Sequence, residues 1–289
     1  MVIRDWSSDV CSSDLPVVAV EILPTLSLGA GLTVNYAELD LQQGLLWPTQ
    51  AYDRFRFKGD GWAVGYNLGL LWKAHEKVRL GVSFRSPTTM EFEGQTDVRN
   101  DVALPSPPAP FPVPVFSQST EASADFPFPL KVICGISYRP TPDWNFEFNA
   151  DFNGWDRLNP VTIRPGADGS PLLAQDIPVV LNWESSWYYE FGATRYLGDR
   201  WSVSAGYVFN ENSLPDENYT PLVADQDRHF FSVGAGYQGE RYTFYVAYQF
   251  GYGPERNVSG SALSAVGQSA DGRYGFISHA VAVSGGVRF

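Results

Sequence analysis

Two pairs of residues have the types that acid–base or nucleophilic catalysis needs, and the spacing of each pair argues against that chemistry. Glu147 and Asp151 are four residues apart in a segment of alternating polarity, which places both carboxylates on one face of a β-strand, about 13 Å apart. Glycosidases separate their two carboxylates by roughly 5 to 9.5 Å. Ser278 and His279 are adjacent, so in a strand they point to opposite faces and cannot hydrogen-bond as nucleophile and base. We therefore expect no enzymatic activity.

Metal and cofactor binding are not expected either. Asp225 and Asp227 could belong to a calcium loop, but the further oxygen ligands at regular spacing are missing, and an ion pair with Arg228 at the start of a strand is the expected role. The three histidines and two cysteines are scattered, which excludes a zinc-type cluster, and Cys134 is expected to be a lone apolar residue. The sequence has no glycine-rich phosphate loop.

The C-terminal segment, residues 276–289, shows which element positions these side chains. Val281, Val283 and Phe289 share one face of an alternating pattern, and small or polar residues such as Ala282 and Arg288 share the other. Successive side chains of a strand point to opposite faces. A terminal strand ending on an aromatic residue is typical of outer-membrane barrels, and we expect the barrel-assembly machinery to recognise this one.

The same alternation recurs from Pro16 onward and predicts ten full strands after a fragment at Val17 to Leu23. The contrast is sharpest in residues 144–153, where aromatic side chains alternate with amides and carboxylates. Residues 97–124 contain six prolines, which cannot donate to a sheet ladder, so this segment is predicted to be a long loop.

Two features favour a transmembrane barrel over a soluble sandwich or lipocalin-like barrel. Short turns alternate with long loops, and aromatic residues recur at strand ends, as an interfacial girdle requires: these are Trp72, Trp144, Trp201 and Tyr242. No run approaches the roughly 18 to 20 apolar residues of a spanning helix. The predicted fold class is all-β, an antiparallel transmembrane β-barrel whose apolar face points to lipid.

The net charge restricts the possible partners, and the first residues restrict the part of the chain that forms the barrel. The net charge of −12 disfavours nucleic acid as a partner, because phosphates need a basic face. Residues 1–15 lack periodicity, and the segment Arg4 to Leu15 resembles a translated sequencing adapter. We expect residues 1–15 to be an artefact and residues 16–289 to be the barrel.

Several segments together resemble the FadL/OmpP1/TodX family of outer-membrane transporters for long-chain fatty acids and other hydrophobic compounds. The resemblance covers about residues 16–289 and is carried by the segments 81–86 (GVSFRS), 182–187 (NWESSW), 206–207 (GY) with 214–215 (LP), 225–228 (DQDR) and the terminal Phe289. Each motif is weak alone, and their order makes the set fairly specific.

The resemblance implies a fourteen-stranded barrel with an N-terminal plug, which binds its ligand in the lumen and releases it sideways through a kinked strand. Aligned from the C-terminus, this chain would begin in the fourth strand, so about ten to eleven strands are expected and the plug and kinked strand would be absent. Glu38 and Glu184 stand where basic lumen residues are expected. Two acids there would repel a fatty carboxylate and shift weight toward a neutral ligand.

Ligand-binding candidates fall into two groups. Arg85 is expected to point into the lumen, where it could contact a ligand carboxylate, although pairing with a lumen acid is the preferred interpretation. Loop aromatics could form an exterior landing site or simply fold the loops over the barrel mouth. The lumen candidates are Asn67, Arg85, Lys131, Glu147, Asn149, Asp151, Glu184 and Glu190, and the landing-site candidates are Trp47, Phe111 and Phe116.

The function predicted from these observations is passive transport of long-chain fatty acids or other hydrophobic molecules across the bacterial outer membrane. The expected partners are a hydrophobic small molecule, outer-membrane lipid and the assembly machinery. An aromatic-hydrocarbon channel of the same family and a surface adhesin using the long loops are the alternatives.

Overall fold

The computed structural model describes residues 11–14, 16–46, 52–100, 116–158, 160–166, 175–220, 224–261 and 269–288. These residues are almost entirely antiparallel strands, joined in two places by a single turn of 3₁₀ helix. None of the helices among them is long and apolar enough to cross a membrane.

The strands are named in chain order. They are β1 Cys11–Asp14, β2 Val17–Leu23, β3 Leu26–Leu46, β4 Tyr52–His75, β5 Val78–Arg85, β6 Thr88–Asn100, β7 Phe116–Phe128, β8 Lys131–Thr141, β9 Trp144–Asn153, β10 Val161–Pro165, β11 Ile177–Val179, β12 Ser186–Leu197, β13 Trp201–Asn210, β14 Arg228–Gln238, β15 Tyr242–Val258 and β16 Gly272–Val287. The 3₁₀ turns are Trp155–Arg157 and Asp216–Asn218.

Every strand pairs antiparallel with its neighbours in one sheet. The long strand β4 pairs with β3 along its whole length on one side, and with β5 and then β6 on the other. Strands β5 and β8 continue the sheet through β9 and β12 to β16, whereas β6 continues it through β7, β10 and β11. Among the described residues, the far edges of β2 and β16 pair with no other strand, so the sheet is open.

Short and long connections alternate, as the sequence predicts. The turns after β2, β4, β8, β12 and β14 contain two or three residues, whereas the other connections between the long hairpin strands are longer. Joining the strand pairs that run in one line, such as β5 with β6, gives ten long strands and the fragment β2. This matches the ten to eleven strands predicted. Residues Cys11–Asp14, which belong to the segment predicted to be an artefact, pair with β3.

The apolar face of the membrane-spanning part points outward. Trp201, Phe244 and Val283 are 55%, 56% and 76% exposed, whereas Asp151 on the inner face of β9 is 4% exposed. Since a lipid-facing strand hides only alternate residues from water, this orientation is the one that a transmembrane barrel requires. The orientation predicted from the sequence is confirmed.

The loop-side ends of six strands invert this polarity. On β3 the outward residues change from Tyr36 to Glu38 and Asp40, while the inward residues change from Asn35 to Leu39. Strands β4, β6, β7, β10 and β11 follow the same pattern and form a buried apolar cluster on the inner face. Its buried members are Ala37, Phe55, Phe57, Ala63, Met90, Phe92, Val98, Ala122, Ala124 and Ile163.

We call these loop-side parts (residues 37–46, 52–61, 88–100, 116–128, 161–165 and 177–179) the extension, and the rest of the sheet the wall. The prediction of a loop over residues 97–124 is wrong at both ends, because β6 continues to Asn100 and β7 begins at Phe116. The six prolines occupy only positions 105–114. The residues on either side keep the N–H donors that the ladder between β6 and β7 needs.

Candidate functional site

A row of polar side chains crosses the inner face where the wall meets the extension. Arg85 of β5 is paired in register with Lys131 of β8, and Lys131 with Asn153 of β9. On the other side Arg85 is opposite Asn67 of β4, which donates a hydrogen bond of 3.3 Å to Thr33. Three of these residues were predicted as lumen ligands, and the register brings them side by side.

A backbone irregularity positions this row. The chain leaves the ladder at Ser86 and Pro87, between β5 and β6. The buried Ser86 keeps both backbone polar groups of Tyr66 hydrogen-bonded: the Ser86 N–H donates to the Tyr66 carbonyl, and the Ser86 hydroxyl accepts from the Tyr66 N–H, both at 2.9 Å. An extra residue in one strand shifts which residues point inward beyond it. As a result Arg85 and Met90 both face the interior, on either side of the break.

The row borders a cavity of about 260 Å³. Polar side chains from the wall line one side of it, and apolar side chains that belong to the extension or adjoin it line the other. The lining residues are Thr33, Asn35, Gly65, Arg85, Ser86, Thr88, Met90, Phe128, Pro129, Lys131, Asn153 and Trp155. A cavity with cationic and apolar walls suits a molecule that has both a polar head and an apolar body.

The charges at this cavity are not evenly balanced. Lys131 Nζ lies 2.9 Å from Asp151 Oδ2, so one cation has a partner. Arg85 forms no ion pair or hydrogen bond with another described residue, which corrects the preferred expectation that it would pair with a lumen acid. Two buried atoms also lack hydrogen-bond partners among the described residues, Asn153 Nδ2 and Asp151 Oδ1.

The other predicted lumen acids lie further toward the turn side and form a separate network. Asn149 Nδ2 donates to Glu190 Oε2 at 3.1 Å, and Asn145 Nδ2 donates to Glu147 Oε1 at 2.9 Å. Glu147 and Glu190 are thus each held by a side-chain amide. They leave the inner wall acidic at this level, well away from Arg85.

Glu38 does not occupy the lumen position expected of it. Glu38 lies on the outward face of β3, where the Tyr36 hydroxyl donates to its Oε1 at 3.1 Å. Glu184 is exposed in the segment before β12, and its backbone N–H donates to the Ser213 carbonyl at 2.7 Å. The alternation of β3 puts even-numbered residues outward, so Glu38 would not face a carboxylate in the lumen, whereas the lumen role of Glu184 stays a prediction.

The predicted landing-site residues lie outside the described part of the chain or at its edge. Trp47 and Phe111 lie outside the described residues, and for Phe116 only the backbone, paired with Asn100, is described. The loop-side cluster that is described centres on Arg256, whose guanidinium donates to Asp216, Asn212 and two backbone carbonyls.

The Arg256 guanidinium also lies over the ring of the buried Tyr219, 5.0 Å from its centroid. Burial raises the pKa of this tyrosine to about 12. The predicted ion pair of Arg228 with Asp225 is present at 3.7 Å. In the described part of the chain, no group of three His, Cys, Asp or Glu side chains is placed to hold a metal ion.

Several cavity residues were missed by the sequence reading, above all Asn153, Met90, Phe128 and Trp155. A signal for two of them was present: from Met90 to Val98 and from Thr120 to Phe128 the apolar residues alternate with charged or hydroxyl-bearing ones, which is a strand pattern. The proline-rich segment between them concealed it.

Comparison with known families decides the identity of this fold. The profile described as "Outer membrane protein transport protein (OMPP1/FadL/TodX)" matches residues 8–289. The chain belongs to this family. OMPP1/FadL/TodX proteins are outer-membrane proteins, and the chain is therefore a multi-pass β-barrel protein of the outer membrane, as predicted.

Individual relatives agree with this assignment. The chain is 23% identical over 184 residues to the long-chain fatty acid transport protein of Escherichia coli K12, covering 62% of this chain and 39% of that one. It is 25% identical over 185 residues to a 47 kDa outer membrane protein of Pasteurella multocida, covering 63% of this chain and 42% of that one. The matches to these relatives span about two fifths of their length.

Solved structures share the fold. A Pseudomonas aeruginosa FadL homologue superposes with a TM-score of 0.73 at 16% identity, covering 95% of this chain and 65% of the other. The Pseudomonas putida toluene transporter TodX superposes with a TM-score of 0.68 at 15% identity, covering 95% and 68%. At such identities the likeness concerns the architecture alone.

Proposed function

We propose that this OMPP1/FadL/TodX protein moves hydrophobic molecules, long-chain fatty acids above all, passively across the outer membrane. The observation that carries the proposal is the polarity of the sheet. Its lipid-facing side is apolar, and its inner side combines small, polar and locally apolar residues. Such an interior offers a hydrophobic solute a series of weak binding sites, which the polar outer leaflet of the membrane does not.

The proposal includes no chemical reaction. The carboxylates of the inner wall are held by amides and by Lys131, and the Ser278 and His279 side chains lie on opposite faces of β16. His279 Nδ1 forms a hydrogen bond of 2.7 Å with the Tyr248 hydroxyl on the outward face. These contacts give none of the acids or the serine a nucleophile–base partner.

An aromatic hydrocarbon is the second candidate cargo. Relatives named as toluene transporters share the fold, and the inner face of the extension is lined by phenylalanine and methionine. The two cargo classes differ in whether the molecule carries a charged head group.

A substitution at Gly69 tests the proposed route. Gly69 faces inward on β4, and a Cβ placed there meets no atom within 4 Å, so Gly69→Trp would add bulk to the lumen without a local clash. The neighbouring Leu68 faces outward and is half exposed, which makes Leu68→Trp a matched control. We expect uptake of radiolabelled oleate by a transporter-deficient strain to fall with Gly69→Trp and to be unchanged with Leu68→Trp, at equal amounts of folded protein.

Equal uptake with the wild type, with Gly69→Trp and without the protein would contradict transport and favour the adhesin. Toluene uptake measured in the same strains distinguishes the two cargo classes.

A further inference from the structure

We propose that the outward face of β9, β12 and β13 binds one anionic glycerophospholipid, with an acyl chain over Ala193 and Ala205 and the phosphate at Arg195. This surface is the lipid-facing side of the wall, opposite the inner face along which a transported molecule would pass. The inference therefore goes beyond the proposed transport function and does not depend on it.

The acyl-chain part of the site is a groove of about 550 Å³ on the outward face, which we call the outer groove. Ala193 of β12 and Ala205 of β13 are paired in register and present only methyl groups. Phe146 of β9 is opposite Ala193. Phe191 and Tyr207, the next outward residues toward the loops, form a rim with ring centroids 6.2 Å apart. All five residues line the outer groove, which is low over the two alanines and closed toward the loops by the two rings.

The lining of the outer groove is apolar and open to the membrane. Phe146 and Phe191 are 41% and 51% exposed, and lipid is the medium that meets the outward face of a barrel strand. A chain that lies between raised rings contacts atoms at its flanks as well as beneath it, so it gains more dispersion contacts than on a flat surface. The volume falls within the roughly 300 to 1,000 Å³ of small-molecule sites. The outer groove therefore suits an alkyl chain.

The head-group part of the site is the guanidinium of Arg195. Arg195 is the next outward residue of β12 on the turn side of Ala193, about 7 Å along the strand. It is exposed, and its Cζ lies 5.5 Å from the ring centroid of Trp144, the residue opposite it on β9. A guanidinium binds phosphate through two parallel N–H donors, and the contact with the ring holds this one at the end of the outer groove.

The level of Arg195 in the wall corresponds to the lipid head groups. β12 ends at Leu197, two residues beyond Arg195, and Trp144 belongs to the aromatic residues at strand ends that mark a membrane interface. Short turns of bacterial barrels face the periplasm, and the leaflet on that side of the outer membrane consists of glycerophospholipids. With its phosphate at Arg195, such a lipid extends its acyl chains toward the membrane centre, which is the direction of Ala193 and Phe191.

The charge of the site selects a lipid with a net negative charge. Arg195 forms no ion pair with another described residue, so one phosphodiester would neutralise it. The head group of phosphatidylglycerol carries that charge alone, whereas phosphatidylethanolamine adds an ammonium group that this cation repels. A basic residue near a membrane surface contributes about fivefold to the binding of anionic lipid. We therefore expect a preference of this size for phosphatidylglycerol.

A second groove on the same face provides a comparison within the molecule. Its volume is about 370 Å³, and Ala235, Tyr237 and Val246 are among the residues that line it. Ala235 is its small residue, and the partners of Ala235 in register, Val203 and Val246, are apolar. Tyr237 occupies the position that corresponds to Arg195, two residues from the alanine toward the turns. The second groove therefore has the apolar part of the proposed site without its cation.

The test measures lipid binding to the full chain by native mass spectrometry. The purified protein in detergent micelles is mixed with equal amounts of phosphatidylglycerol and phosphatidylethanolamine that have the same acyl chains. We expect the complex with one phosphatidylglycerol to be about fivefold more abundant than that with phosphatidylethanolamine. Arg195→Met should bring the ratio close to one, and Arg195→Lys should keep most of the preference because the charge is kept.

Ala193→Phe tests the groove separately from the charge. The added ring fills the outer groove while Arg195 stays in place, so we expect the preferred complex to be lost. Ala235→Phe is the matched control, because it adds the same ring to the second groove. We expect it to leave both the abundance of the phosphatidylglycerol complex and the ratio of the two complexes unchanged.

Arg139→Met is the matched control for the charge. Arg139 is exposed, and its Cζ lies 4.9 Å from the ring centroid of Tyr196, so it repeats the pairing of an arginine with an aromatic ring at the same end of the wall. Tyr196 follows Arg195 along β12 and therefore faces inward. We expect the lipid preference to persist in Arg139→Met. Far-UV circular dichroism would show that all variants are folded to the same extent.

Equal amounts of the two lipid complexes with the wild type would overturn the site, as would the same loss of preference in the Arg139 and Arg195 variants. A preference unchanged in Ala193→Phe would show that a head group binds without the chain, and this would also overturn the site. Oleate uptake by the Gly69→Trp variant is measured independently, so failure of the lipid site leaves the transport proposal standing, and the reverse also holds.

Discussion

The wall and the extension are built from the same strands with opposite polarity. In the wall, Leu68 points outward and Asn67 inward; in the extension, Lys58 points outward and Phe57 inward. The backbone ladder between β3 and β4 runs without interruption through both. The comparison shows that backbone hydrogen bonding gives these strands their geometry. The medium on the outer side, lipid for the wall and water for the extension, decides which residues each half can expose.

The two halves also differ in what stabilises them. The extension has a dry interior, in which Phe57 is 0% exposed and Ala124 is 1% exposed, as in a soluble protein. Among the described residues, the wall has only a smaller buried cluster, around Val258 near the loop-side end of β15, and it depends on lipid to cover its outward residues. Each half should therefore respond to a different kind of substitution.

The largest effect is expected from emptying the dry interior. Phe57→Ala should lower the free energy of opening of the extension by about 3 to 5 kcal/mol, because it removes a buried ring and leaves a cavity. Hydrogen exchange of the amides of β4, β6 and β7 in detergent would measure it. Phe244→Ala, on the outward face of the wall, is the control and should leave exchange in the extension unchanged. An equal effect of both substitutions would contradict the separation of the two halves.

A charge placed on the outward face should have the next largest effect, and only in the wall. Leu68 lies between Trp62 and Trp72 on the outward face of β4, so Leu68→Arg should destabilise the protein by about 2 to 4 kcal/mol, the cost of arginine near the bilayer midplane. Gln95 is exposed on the outward face of β6 in the extension, and Gln95→Arg should change stability by no more than about 0.5 kcal/mol. Urea unfolding in liposomes would compare them; similar costs would show that the extension also contacts lipid.

The smallest effect concerns an ion pair that marks the charged side of the extension. Arg56 donates to both oxygens of Asp40, with Nε 2.8 Å from Oδ1, and this hydrogen bonding lowers the pKa of Asp40. A lowered folded-state pKa contributes stability above the ordinary carboxyl value of about 4, and this stability is lost as the pH falls through the lowered value.

Asp40→Asn should therefore flatten the acid limb of the stability profile below about pH 4, measured by hydrogen exchange in β3 and β4. An unchanged acid limb in Asp40→Asn would show that the pair contributes nothing at this surface. Asp125→Asn, which removes the partner of Arg164 at 2.7 Å on a different strand pair, is a suitable comparison.

The wall was predictable because its sequence has a single period. Alternation from Leu26 to Tyr36 and from Val64 to Trp72 predicts a strand in each segment and the face to which each side chain points. The structure agrees on both. The alternation also gave the inward position of Arg85 and Lys131. The turn positions followed from the short polar segments between alternating runs.

The extension was not predictable in the same way, because the apolar residues change face without any break in the chain. Beyond Tyr36 the same strand continues with Leu39 and Leu41 inward. A prediction based on a single apolar face therefore ends the strand at Tyr36. The cavity was not predictable either, since it depends on the irregularity at Ser86 and on which side chains remain unpaired, such as Arg85 and Asn153.

The alternation in the extension places residues under two kinds of physical constraint within single strands. Glu91 and Glu93 meet only the exterior, whereas Met90 and Phe92 between them close the dry centre next to the cavity. Substitutions at every second residue can therefore change the outer surface of the extension, while the residues between them are constrained by packing. The outer surface of the extension and its packed interior are thus separated by the thickness of one strand.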